Sequence, residues 1–256
     1  MSDQARRVQE QFGGSAAAYV TSPGHAAGDD LDTLVAWGRA LAPRRVLDVA
    51  TGGGHTALAF AGLAGHVTAC DLTEPMLRAA RGLVRDRGAH AAFVAGDAVT
   101  LPFREGAFDV VTCRIAPHHF PDVAGAVREV RRVLRPGGSF LVQDILGHDD
   151  GEAAAFITEV ERRRDPTHIR AYRAVEWKAF LRAAGLTVMD STVKTKLRPW
   201  EEWTTRTRMT VEGRRDLDAF VLAAPEKCRA AFGFVVAGGR VESFTDRMLL
   251  LRADRD

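Results

Sequence analysis

The chain has 256 residues, 46% of them hydrophobic and 27% charged, with a formal net charge of +2. This composition reads as an ordinary soluble globular protein, with room for one sizeable α/β domain plus additions. It excludes a basic nucleic-acid tail, since no Lys/Arg block is long enough, and a membrane-spanning helix, since no apolar run reaches the length a bilayer needs.

Residues 3 to 12 predict a short charged helix. The small, polar and aromatic stretch from Gly13 to Ala27 reads as a lid or loop, and Asp29 to Leu41 as an amphipathic helix closed by Pro43. Strands and helices then alternate. Strands are expected at Val46–Val49, Val67–Cys70, Ala92–Val94, Phe108–Cys113 and Ser139–Asp144. Helices are expected at Thr56–Ala64, Pro75–Arg87 and Val123–Leu134, the last closed by the breaker cluster Arg135-Pro136-Gly137-Gly138. Past Asp144 the pattern becomes charged and helical to Ala174, broken at Asp165-Pro166. A helix at Val175–Ala184 and a strand at Leu186–Val193 follow. Pro199 to Ala231 is mostly helical, and Val241–Leu251 is a final strand.

The expected fold is α/β: a Rossmann-like, mostly parallel seven-stranded sheet with right-handed crossovers and helices on both faces. Residues 1–40 form a helical lid. Residues 41–256 form the ligand-binding domain, with cap insertions at about 147–174 and 198–235. Within the first insertion, Arg162-Arg163-Arg164 is expected on a solvated helix face.

The cysteines Cys70, Cys113 and Cys228 form neither a CxxC pair nor a zinc spacing, and Met1 to Gly14 hold no apolar core like that of a signal peptide. The expectation is therefore a reducing, cytoplasmic setting and no structural metal. Asp144, Asp149 and Asp150 could mimic an acidic metal site, but no further acid or Asn follows at suitable spacing.

Three carboxylates stand at or near the ends of successive strands. Asp48 precedes the triple-glycine turn Gly52-Gly53-Gly54, Asp71 ends the second strand, and Asp97 follows the third in Gly96-Asp97-Ala98. A glycine turn between a strand and a helix lets backbone approach a nucleotide-like ligand. Asp71 can accept both hydroxyls of a ribose, while Asp97 can accept from an adenine amino group beside the Ala98 N–H. The plain alternatives are a helix-start carboxylate at Asp71 and a turn aspartate at Asp97. The run Gly52-x-Gly54-x-x-Ala57 with an acid about 20 residues on also suits a dinucleotide, so a nicotinamide oxidoreductase competes. Asp48 opposes it: a carboxylate there repels a pyrophosphate and suits an ammonium group.

The runs VLDVATGGGH (46–55), VTACDLTEPML (67–77), GDAVTLPF (96–103), FDVVTCRIAPHHF (108–120) and REVRRVLRPGG (128–138) resemble the class I S-adenosylmethionine-dependent methyltransferases. They are most similar to the type 11 small-molecule branch that includes the ubiquinone/menaquinone-biosynthesis enzymes. The resemblance covers residues 40 to 145 strongly. It implies that S-adenosyl-L-methionine is the cofactor and that Asp48 and the Gly52–Gly54 turn hold its methionine part. It further implies that Asp71 binds the ribose, that Leu72 lies beside the adenine, and that Asp97 and Ala98 meet the adenine edge. One departure is Ala50, which stands in the cofactor-binding turn where the family has a glycine.

The segment Arg114-Ile115-Ala116-Pro117-His118-His119-Phe120 then faces the methyl group. His118 and His119 are the candidate catalytic bases; the alternative is that one packs while the other meets the cofactor carboxylate through water. Arg114 is a candidate carboxylate anchor. Tyr19, His25, His168 and Arg170 are candidate substrate-binding residues, whereas Trp200 and Trp203 read as core or cap packing. The absence of an Asn/Asp-Pro-Pro-aromatic run argues against base-N methylation of nucleic acid. The expected activity is O- or C-methylation of a small quinone-like or secondary-metabolite acceptor, with no nucleic-acid or membrane partner and homodimerisation left open. A non-catalytic S-adenosylmethionine-binding module is the third alternative.

Overall fold

The computed structural model describes residues 2–256; Met1, the first residue of the expected lid, lies outside them. The N-terminal region is helical: α1 (Asp3–Gly13), α2 (Ala16–Val20), α3 (Pro23–Ala26) and α4 (Asp29–Leu41). The stretch expected as a loop from Gly13 to Ala27 therefore contains two short helices. Ala16-Ala17-Ala18 has high helix propensity, and Pro23 sits in the first turn of α3, where its missing N–H costs nothing.

The alternating core follows: β1 (Arg45–Val49), α5 (His55–Ala61), β2 (His66–Asp71), α6 (Glu74–Asp86), β3 (Ala92–Ala95), β4 (Phe108–Arg114), α7 (Val123–Val133) and β5 (Leu134–Ile145). A 3-10 turn, Pro117–His119, links β4 to α7. Helix α6 shows why such segments pack: Met76, Leu77, Ala80, Leu83 and Val84 repeat on one helical face and are buried. The breaker cluster before β5 does not end the strand pairing. Leu134 pairs with Phe108, and the register shifts before Ser139 pairs with Val110.

The remainder comprises α8 (Gly151–Arg164), α9 (Ala174–Ala183), β6 (Leu186–Pro199), α10 (Trp200–Arg206), α11 (Val211–Ala223), α12 (Glu226–Ala231), β7 (Val235–Ala237) and β8 (Arg240–Arg255). Strands β6 and β8 run well past their expected ends because they pair antiparallel along their whole length, from Leu186 against Arg255 to Pro199 against Ser243. Residues beyond Val193 alternate between exposed and half-buried up to Leu197, and the one buried side chain, Arg198, is charged, so their strand signal is a weak one.

The sheet has eight strands, one more than expected. Seven lie on the path β3-β2-β1-β4-β5-β8-β6, and β7 pairs with β8 off that path. Gly238 and Gly239, at φ 55° and 74°, make the two-residue hairpin turn between β7 and β8. The four pairings from β3 to β5 are parallel, and those of β8 with β5, β6 and β7 are antiparallel.

Successive strands run outward in opposite directions from β1 and β4. The crevice at the C-terminal ends of those two strands is therefore the topological switch point, where open α/β sheets bind ligands. One apolar cluster packs Val127 and Val130 of α7 and Trp177 and Leu181 of α9 on one face of the sheet. Another packs Leu34 of α4 and Ala57 and Phe60 of α5 on the other. A third joins Phe156 and Val160 of α8, Trp200 and Trp203 of α10, and Leu217 of α11 to Phe244 of β8. The two inserted regions thus share their own core beside the switch point.

Candidate active site

Asp48 is the fourth residue of the central strand β1, flanked by β2 and β4, and only 1% of it is exposed. Its two oxygens accept from the hydroxyls of Thr51 (2.6 Å) and Thr112 (2.7 Å). Burial pushes the carboxyl up to about 6, against those two hydrogen bonds. The chain then turns sharply: Ala50, Gly52 and Gly54 all have positive φ, at 52°, 52° and 86°. Gly54 is required for a second reason, since a Cβ there would lie 2.8 Å from that of Ala80, where α5 crosses α6. A Cβ at Gly52 would meet nothing within 4 Å.

Asp71, 7% exposed at the end of β2, ties this turn to the next strand. One carboxylate oxygen accepts the Gly52 N–H and the other the Thr73 N–H, both at 2.8 Å. Burial raises its pKa and these N–H groups oppose the rise. Asp97 accepts the Val99 N–H at 3.1 Å through one oxygen. These residues line a cavity of about 130 Å³ at the switch point, together with Ala50, Leu72, Ala98 and Arg114. Helix α1 roofs it with Gln4, Val8 and Phe12, and Tyr19 and His25 close one end. The roof is fastened by polar contacts: Gln9 donates to the Leu72 carbonyl (2.9 Å), and Gln4 to those of Thr167 (2.7 Å) and His119 (3.2 Å).

An inner chamber of about 50 Å³ adjoins this cleft and shares Phe12, Tyr19, His25, Ile115 and His119 with it. Ile115, at φ 54°, is a β-branched residue in a strained left-handed conformation where the two meet. His118 lines the chamber. Its Nδ1 is 2.6 Å from Oδ1 of Asp144 on β5, which leaves Nε2 as the ring nitrogen turned to other work. Burial lowers this imidazole's pKa, but the charge and hydrogen bond of Asp144, with Glu161 and Asp165 behind them, raise it overall. His119 differs. Burial and the neighbouring His118 hold its pKa down, and its Nδ1 meets the Thr167 hydroxyl at 3.1 Å.

The predicted residues divide cleanly. Every candidate cofactor residue except Gly54 lines the outer cleft, and His119, Tyr19 and His25 line both cavities. Arg114 is in place but engaged: it donates to Asp30 (3.1 Å), Thr56 (3.1 Å) and the His25 carbonyl, with only 4% of its side chain exposed. Three of its five N–H groups are thus committed to protein partners, and the side chain still borders the cleft. His168 lies outside both cavities, buried with its ring tilted 34° against that of His118 at 5.1 Å, and with no partner for either ring nitrogen among the described residues. Arg170 also lies outside them, paired with Glu176 at 2.8 Å on the surface and lying over Tyr172.

Sequence reasoning missed the chamber's other lining: Glu161 and Arg164 from α8, Arg198 from β6, Trp203 and Arg206 from α10, and Asp246 from β8. Arg164, expected on a solvated face with Arg162 and Arg163, is 8% exposed. Phe156, Val160 and Arg164 are spaced by four and share a helical face, which is the signal that could have found it.

The sequence pattern described as a methyltransferase domain matches residues 47–142. The "Uncharacterized methyltransferase YcgJ" of Bacillus subtilis (strain 168) is 32% identical over 243 residues, covering 94% of this chain and 96% of that protein. The crystal structure of a Bacillus halodurans C-125 protein superposes with a TM-score of 0.85 at 38% identity, covering 89% of this chain and 99% of that one. The demethylmenaquinone methyltransferase of Thermus thermophilus is 43% identical over 103 residues, but these make up only 40% of this chain and 47% of that protein.

Proposed function

Because the chain belongs to the class I S-adenosylmethionine-dependent methyltransferases, we propose that it methylates a small organic acceptor held in the inner chamber, at a ring oxygen or carbon that His118 deprotonates. The single observation that carries this reading is the His118–Asp144 pair beside the cofactor cleft. An imidazole oriented through Nδ1 by a buried carboxylate presents Nε2 as a base. The cofactor, when bound, supplies an activated methyl group on a sulfonium, so the protein's tasks are alignment, exclusion of water and proton removal.

The outer cleft suits that cofactor. Each Asp71 oxygen accepts one backbone N–H, and a carboxylate oxygen has room for a second donor, such as a ribose hydroxyl. Asp97 has one oxygen unused by the turn, and Ala98 borders the same end of the cavity. Asp48 has one hydroxyl donor on each oxygen and sits where an ammonium would restore its full charge. Helix α1 with α2 and α3 acts as the lid, held by Gln4 and Gln9.

A quinone-like ring remains the leading class, and its support is the cofactor half of the menaquinone-pathway relatives. Release of S-adenosylhomocysteine from a library of phenols, hydroquinones and activated methylene compounds tests the assignment. Turnover confined to acceptors with an ionisable O–H or C–H supports it; turnover confined to amines or thiols overturns it.

A further inference from the structure

Three arginines reach the inner chamber from different elements, and two of them are neutralised there. Arg164 pairs with Glu161 at 3.1 Å and Arg198 with Asp246 at 2.6 Å, all four being almost wholly buried. Arg206 is the exception. Only 8% of its side chain is exposed. It donates to the Ser22 hydroxyl at 2.9 Å, and the one carboxylate paired with it is the half-exposed Glu202, 3.9 Å away.

A guanidinium out of water without its own carboxylate is costly. Burial, with Arg164 and Arg198 adding repulsion, draws its pKa down to about 10. A ligand that brings the missing negative charge removes that cost and gains strong charge-assisted hydrogen bonds.

We propose that Arg206 is the docking point for an anionic group, a carboxylate by preference, on the methyl acceptor. This rests on the methyltransferase reading above. Arg206 and His118 line the same chamber, so an acceptor anchored by its acid at one has its nucleophile near the other. A further cavity of about 60 Å³ shares Arg198, Trp203 and Arg206 with the chamber and is bordered by Gly24, Lys196 and Glu202. Arg206 thus borders two cavities, with Arg198 beside it in both and Lys196 in the second. Ser22 and Arg206 bring α10 against the lid at this point, so an occupied site also ties the lid to the cap.

The test uses the full-length protein saturated with S-adenosylhomocysteine and titrated calorimetrically with benzoate, acetate and bromide, with benzamide and acetamide as neutral matches. The expected result is that at least one anion binds while its amide does not. That affinity falls about tenfold or more in Arg206→Met, the scale of losing one charged hydrogen bond. It is largely kept in Arg206→Lys, and affinity for S-adenosylhomocysteine is unchanged throughout. The proposal is overturned if no anion binds, if binding persists in Arg206→Met, or if Arg206→Met loses S-adenosylhomocysteine equally, which would put the cofactor's carboxylate on Arg206. Wild-type protein that ignores S-adenosylhomocysteine overturns the methyltransferase reading instead. If Arg206→Met does not fold, bromide soaked into wild-type crystals decides: an anomalous peak on the Arg206 guanidinium supports the proposal, and its absence overturns it.

Discussion

Asp144 Oδ1 lies 2.6 Å from Nδ1 of His118, with both side chains closed off from solvent. The carboxylate fixes the ring's orientation and favours its protonated form, which makes Nε2 the stronger base. A raised imidazole pKa leaves the ring protonated, and so inactive as a base, until pH climbs past a value above the ordinary 6.5 or so. The rate therefore rises with pH through that value. Removing the carboxylate charge in Asp144→Asn should move the acid limb to lower pH and lower the plateau. His118→Ala should cost about 100- to 10,000-fold in kcat, the usual range for general acid–base catalysis. Full turnover in His118→Ala, or an unmoved limb in Asp144→Asn, would show that the pair is not the base.

Asp71 holds the Gly52 turn and faces the cleft. Asp71→Ala should weaken S-adenosylmethionine binding by about 1–3 kcal/mol, the scale of hydrogen bonds lost to a charged group. Calorimetry reads this directly, and an unchanged Kd would remove the ribose assignment.

Ala50 adopts φ 52° in the turn where the resembling family carries glycine. A left-handed alanine costs about 1–2 kcal/mol, and glycine returns about 0.5–1 kcal/mol of that through its unfolded-state entropy. Ala50→Gly should therefore stabilise the protein by roughly 0.5–1 kcal/mol, or about 2 °C in Tm for a chain this long. A lower Tm would mean that the Ala50 methyl packs well enough to outweigh its strain.

Arg114 joins β4 to α4, α5 and α3 through Asp30, Thr56 and the His25 carbonyl respectively. Arg114→Met leaves Asp30 buried with only Gln143 and Lys196 to answer its charge. The cost should approach the lower end of the roughly 3–5 kcal/mol seen when one partner of a buried pair is removed. Chemical denaturation measures it. A variant of normal stability with greatly reduced cofactor affinity would instead make Arg114 a ligand for the cofactor carboxylate.

The cofactor half of this site is written in short stretches of sequence. Asp48, Asp71 and Asp97 each lie near the end of a strand pattern or just past it and precede a turn, so neighbours within a few positions reveal both the strand and its end. The sheet from Val46 to Asp144 is legible for the same reason. The chamber proposed for the acceptor is not, because its residues come together only through long-range packing. Arg198 and Asp246 meet because Arg198 pairs with Phe244 in the β6–β8 ladder, putting Asp246 diagonally opposite. Neither strand was expected to extend beyond Val193 or Leu251, since exposed alternation gives little apolar signal. Arg206 and Ser22 are separated by 184 residues. The Arg114–Asp30 pair was hidden for another reason: Asp30 sits on a helix whose acidic first turn looks like ordinary dipole compensation.

The most direct test of the account is a crystal structure of the protein with S-adenosylhomocysteine. The expected result is ribose hydroxyls on Asp71, adenine at Asp97 and Ala98, and the sulfur facing the inner chamber beside His118. A sulfur turned away from that chamber, or a ligand whose ribose lies off Asp71, would contradict it.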